Sequence, residues 1–163
     1  KIMPLANITQ LTSDLQAIID VPPAGGASAI AESWSNALSS WLVTVSTPPV
    51  EALTPDLITD VIKPILNVDF TAGGTINPPS GAPNFIQLMN LALPAAAGVI
   101  LLDPLVSPLV TAGTVLPPIG TVTFTVAKSI GMSGGGSEAV ATAMAGDLLT
   151  WSLTGVSPGG TWL

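Results

Sequence analysis

The chain has 163 residues, enough for one domain with a core of useful size, yet only 8% of them are charged, about a third of the roughly 25% usual in soluble domains. Histidine, cysteine, arginine and tyrosine are absent, the only cations are Lys1, Lys63 and Lys128, and the formal net charge is −7. That removes the ordinary neutral-pH acid–base group, the soft metal ligands and the bidentate phosphate fork, so we expect no enzyme, no cofactor, no metal and no nucleic-acid partner. Without cysteine the redox compartment stays open. Sixteen glycines and sixteen prolines accompany 48% hydrophobic residues, a combination too apolar for a disordered tract, so the prolines are read as punctuation between ordered elements. No basic segment followed by an apolar run opens the sequence, so no signal peptide is expected, and Lys1 ahead of Met3 suggests trimming.

Leu5, Ile8, Leu11, Leu15, Ile18 and Ile19 recur at helical spacing between Pro4 and Pro22-Pro23, which predicts a first amphipathic helix. After Gly25-Gly26 a second stripe, Ile30, Trp34, Ala37, Leu38, Trp41 and Val45, places two indoles on one face and stops before Pro48-Pro49. Thr54-Pro55-Asp56 supplies a cap, a first-turn proline and a first-turn acid for a third helix through Leu57, Ile58, Val61, Ile62 and Ile65, which Pro64 should kink or end. From Phe70 to Ala127 the only ionisable side chain is Asp103, and prolines at 78, 79, 83, 94, 104, 108, 117 and 118 argue against a long helix. Phe85 to Leu93 reads as a short buried helix. Thr121 to Val126 alternates threonine with Val122, Phe124 and Val126, which predicts a half-buried strand paired near Thr114 to Leu116 or in a neighbouring subunit. Ser137 then caps a last helix carrying Val140, Met144, Leu148 and Trp151 before Pro158.

The second and last stripes superpose with a shift of 110 residues: Gly25-Gly26 on Gly135-Gly136, Trp34 on Met144, Leu38 on Leu148, Trp41 on Trp151 and Pro48 on Pro158. Gln10-Leu11 is echoed more weakly by Gln87-Leu88. The expected architecture is a single domain, 1–163, mainly α with a small β element. Its short amphipathic helices form two related helix–loop–helix units, 1–50 and 84–160, the second with a Pro-rich, strand-containing insertion.

The helix reading Ala-x-x-Trp-x-x-Ala-Leu-x-x-Trp from Ala31 to Trp41, behind a leading amphipathic helix, and the Thr/Val/Pro/Gly-rich stretch Leu153 to Trp162 loosely resemble small virion structural proteins of tailed phages and contractile injection particles. The resemblance covers about half of the chain and carries over no functional residue. It implies a virion component of tail, baseplate, neck or capsid-associated type, located in a virion or other extracellular particle, whose partners are copies of itself and other particle subunits.

Gly131-Met132-Ser133-Gly134-Gly135 satisfies the G-x-S-x-G pattern between an expected strand and a helix. The serine lacks a histidine base, and Lys128 would need burial to serve instead, so a glycine hinge is the preferred reading. The same glycines lack the lysine and hydroxyl of a phosphate loop, and Glu138 stands where an anion would sit. Asp56, Asp60 and Asp69 fit no calcium-loop spacing. Phe85 to Leu102 approaches the length of a membrane span, but Gln87, Asn90 and Pro94 interrupt it, and Asp103 at its edge would cost up to about 2.5–3.5 kcal/mol at the bilayer centre.

The favoured expectation is a non-enzymatic structural subunit of a large assembly, with Trp162, Phe85, Leu101, Leu102, Val122 and Phe124 as the side chains that meet neighbouring chains. The alternatives are a membrane-associated protein using 85–102 and a soluble secreted binding domain.

Overall fold

The apolar stripes set the helix order, and the packing follows from which stripes face one another. In the computed structural model, residues 5–45, 55–71, 84–104, 106–157 and 160–162 are described. The predicted cap at Thr54 and the stops at Pro4, Pro48-Pro49 and Pro158 lie outside them, as do the side chains of Asp56 and Asp69. Seven helices are present among the described residues: α1 (Leu5–Asp20), α2 (Ala27–Val45), α3 (Pro55–Thr71), α4 (Phe85–Leu101), α5 (Ser107–Thr111), α6 (Thr125–Met132) and α7 (Ser137–Ser152). Two short strands, β1 (Val156–Ser157) and β2 (Gly160–Thr161), pair antiparallel, and Leu116 forms an isolated bridge to Val156 on the other side of β1. The protein is mainly α with a small β element.

Helix α1 lies against both α2 and α7; α2 packs on α3, α3 on α4, and α6 on α7. Buried side chains from Leu11 to Trp162 form one continuous cluster, with Leu15, Leu38, Leu42, Ile58, Ile62, Leu66, Met89, Leu93, Ile100 and Trp151 among its largest members. Ser35, Ser39, Thr59, Ser152, Ser157 and the acid Asp103 are the buried polar side chains among the described residues. Between α2 and α3, Thr59 donates to the Ser39 hydroxyl, and Ser39 and Ser35 each donate to the carbonyl four residues earlier. On the exposed side of the same seam Lys63 Nζ meets Glu32 Oε2 at 3.1 Å.

Both interior prolines are tolerated. Pro64 and Pro94 sit on the solvent sides of α3 and α4. Each lacks an N–H and so frees the carbonyl four residues earlier, at Asp60 and Asn90. The apolar faces opposite stay buried, and α4 runs eight residues beyond the Leu93 limit read from the sequence. Its start is fixed by a capping box in which Asn84 Oδ1 accepts from Gln87 N–H and Gln87 Oε1 accepts from Asn84 N–H, both at 2.9 Å.

The strand expected at Thr121 to Val126 is absent. The alternation holds as far as Phe124: Val122 and Phe124 are buried while Thr121 and Thr123 are exposed. The ladder partner is a side chain instead. Asn90 donates to the Val122 carbonyl at 2.8 Å and accepts from the Val122 N–H at 2.9 Å, so one amide on α4 supplies both bonds of a β pair. Phe124 then turns to φ 49°, the one non-glycine residue at positive φ among those described, and the chain enters α6 at Thr125. Val126 consequently points to solvent. The β ladder is β1 with β2, and Leu116, from the stretch expected to pair with Thr121 to Val126, instead forms an isolated bridge to Val156. In the Gln10-Leu11 and Gln87-Leu88 echo both leucines are buried, while Gln10 bonds Asp14 on the exposed side of α1 and Gln87 is part of a cap.

Replacing Asn90 by alanine leaves the buried Val122 peptide without either partner. A loss of about 2–3 kcal/mol is expected in urea denaturation of Asn90→Ala, with helical circular dichroism retained.

Candidate contact surface

The G-x-S-x-G stretch from Gly131 to Gly135 lies at the end of a helix. Ser133 follows helix α6, not a strand, and its hydroxyl donates to the Ile130 carbonyl at 3.0 Å. Gly134 N–H bonds Gly131 O and Gly135 N–H bonds Ile130 O, the paired contacts of a Schellman helix stop, with Gly134 at φ 80°. A Cβ at Gly135 would collide with Ile130 Cγ2. The glycine run therefore ends α6 and turns the chain into α7. Gly113, at φ 74°, ends α5 with the same pair of bonds, from Gly113 N–H to Val110 O and from Thr114 N–H to Leu109 O. Lys128 and Ser133 are both exposed.

No group of three or more acidic side chains that would hold a metal occurs among the described residues. Asp60 is exposed on α3. No described helix is long and apolar enough to cross a membrane; α4 spans 17 residues and buries seven of them, Leu88, Met89, Ala92, Leu93, Ala96, Ala97 and Ile100, within the protein.

The side chains expected to meet neighbours divide sharply. Phe85 is half-buried and packs edge-on against Trp34, with ring centroids 5.2 Å apart, and beside Phe124 at 6.2 Å. Val122 and Phe124 are buried with it, so these three join α2, α4 and the 122–124 segment inside the chain. Trp162 is 1% exposed. Its indole lies over Gly155, where an added Cβ would come within 2.5 Å of Cδ1. For Trp162, Val122 and Phe124 the contact is thus intrachain, because the Asn90 clamp and the Gly155 notch draw them into the core. Leu101 is half-buried, and only Leu102, at 79%, is largely exposed.

Other apolar side chains reach solvent, and sequence reasoning missed them. Ile119 is 83% exposed, and Leu116 and Val156 are exposed together. As opposed residues of an antiparallel bridge these two project on the same side of the small sheet. Leu153 is also exposed, one residue before Thr154. Thr154 Oγ1 accepts from both Ile119 N–H and Gly120 N–H at 3.0 Å and donates to Trp151 O at 2.7 Å, fastening the Ile119 loop to the end of α7. The signal available beforehand was charge, not periodicity: residues 104–127 and 148–163 contain no Asp, Glu, Lys or Arg.

No family model, curated protein or solved structure matches this chain.

Gly134 occupies a left-handed cap that an alanine adopts at a cost of about 1–2 kcal/mol. Gly134→Ala should lose that much stability in urea denaturation, whereas Ser133→Ala should stay within about 0.5 kcal/mol of the parent and leave any ester turnover by the purified chain unchanged.

Proposed function

We propose that this chain is a non-enzymatic structural subunit that works by packing against other protein chains in a larger assembly. One observation carries the reading: Leu116, Ile119, Leu153 and Val156 are exposed on stretches that contain no ionisable side chain. Exposed apolar groups on an uncharged surface raise the aggregation tendency of a free monomer, and in a permanent assembly they become contact area. The centres of lasting interfaces are depleted in ionic groups in the same way.

Chemistry of the side chains supports the same direction. The one serine in a nucleophile-like motif is spent on a helix stop, and no histidine is present to activate another. The resemblance of the Ala31 to Trp41 and Leu153 to Trp162 stretches to small virion proteins makes a phage or phage-like particle the assembly we favour, with a virion or extracellular particle as the location.

Mass spectrometry of fractionated native material tests this. The chain should co-sediment with a large particle at fixed stoichiometry through gradient and sizing steps; its recovery solely as a free small protein would overturn the proposal.

A further inference from the structure

We infer that the chain cuts itself at the peptide bond between Asp103 and Pro104, leaving residues 1–103 and 104–163 joined in one fold. This is the one Asp-Pro pair in the sequence. Two features of such a pair favour cleavage. The side-chain carboxylate stands one methylene from its own backbone, so its attack on the carbonyl carbon closes a five-membered ring. The proline nitrogen carries a carbon substituent in place of its hydrogen, which makes it the more basic nitrogen and, once protonated, the better leaving group. The fold adds a third feature. The Asp103 carbonyl oxygen accepts from the Val106 N–H at 2.9 Å and from the Ser107 N–H at 2.8 Å. These two amides polarise the scissile carbonyl and stand where negative charge gathers on its oxygen as the tetrahedral intermediate forms. Both bonds depend on the turn that leads from Asp103 into α5, so they belong to the folded chain.

Burial divides this corner in a way that suits the reaction. Asp103 is 1% exposed, whereas Leu102 before it and Pro104 after it are exposed. The acid is held inside the fold while water reaches the proline side of the bond. One carboxylate oxygen of Asp103 bonds to the Asp103 carbonyl carbon, the C–N bond to Pro104 breaks, and its electron pair takes a proton from solvent. Asp103 is the only ionisable side chain from Phe70 to Ala127, and α4 and α5, the helices it stands between, carry none. A cyclic anhydride remains at Asp103, and one water opens it to two carboxyl groups. The pieces stay together because the break is spanned elsewhere: α1 packs on α7, Asn90 holds the N–H and carbonyl of Val122, and Phe85 lies beside Phe124.

The test is mass spectrometry of the purified full chain, held in the most acidic buffer that leaves its helical circular dichroism intact, beside the same chain at the same pH in urea. The folded chain should yield one fragment ending at Asp103 and one beginning at Pro104, whose masses sum to the parent plus one water. It should do so at least about tenfold faster than the chain in urea, where the two amides no longer meet the carbonyl. Asp103→Asn lacks the carboxylate and Pro104→Ala lacks the basic leaving nitrogen, so both should stay whole. Pro104 is exposed, so Pro104→Ala should fold as the parent does even if Asp103→Asn disturbs the turn. On native sizing the cut chain should elute with the uncut one. A folded parent still whole when the urea sample has been cut, equal rates in the two samples, or Pro104→Ala cut at the parent rate would each overturn the inference of self-cleavage. Fragments that separate on native sizing would overturn the joined state.

Discussion

Neutral side-chain hydrogen bonds at a few points fix how the helices of this chain meet. The Asn90 amide is the clearest case: by donating to and accepting from Val122 it holds an extended segment on α4 with no second strand. Once Val122 is pinned, Phe124 packs with Phe85 and Trp34, and the chain turns at φ 49° into α6. The geometry of α6 and its glycine stop then place α7 against α1. Thr59 with Ser39 between α2 and α3, and Thr154 between α7 and the Ile119 loop, act in the same manner. A hydroxyl or amide can be buried once its partners are met, without the several kcal/mol that each desolvated ion costs. That suits a chain in which charges are few and mostly of one sign.

Helices with a regular apolar stripe were legible in the sequence because burial repeats with the helical period. Leu11 and Leu15 in α1, Trp34, Leu38 and Trp41 in α2, and Met144, Leu148 and Trp151 in α7 are all buried as their spacing requires. The prolines were harder to read. A proline breaks a helix when its neighbours need the lost hydrogen bond, and at Pro64 and Pro94 the exposed side absorbs the loss, so α3 and α4 continue. The alternation at Thr121 to Phe124 correctly marked which side chains face inward. It could not reveal that the partner was an amide 32 residues earlier, because a period-two pattern encodes burial and says nothing about what satisfies the backbone.

The contact surface was the least legible part for a related reason. Trp162 and Phe124 are the large apolar groups that most invite an interface reading, and the fold takes them for itself through a glycine notch and a left-handed turn. Among the apolar residues left exposed, Leu116, Ile119, Leu153 and Val156 fall on no periodic stripe; they lie in loops and at a single bridge. Only the absence of charge from the two stretches that converge there points to them.

The register shared by α2 and α7 has a structural counterpart. Ser137 begins α7 110 residues after Ala27 begins α2, and each residue buried in α7 falls on one buried in α2: Ala141 on Ala31, Met144 on Trp34, Ala145 on Ser35, Leu148 on Leu38, Trp151 on Trp41 and Ser152 on Leu42. Both helices lie on α1, so a common stripe follows from a common neighbour. Their other sides differ. α2 turns toward α3 and buries Ala37 and Ser39 as well, whereas α7 has α6 beside it and passes directly into the uncharged Leu153 to Val156 corner. The shared stripe thus records the neighbour the two helices have in common, and the residues outside it record the neighbours they do not share.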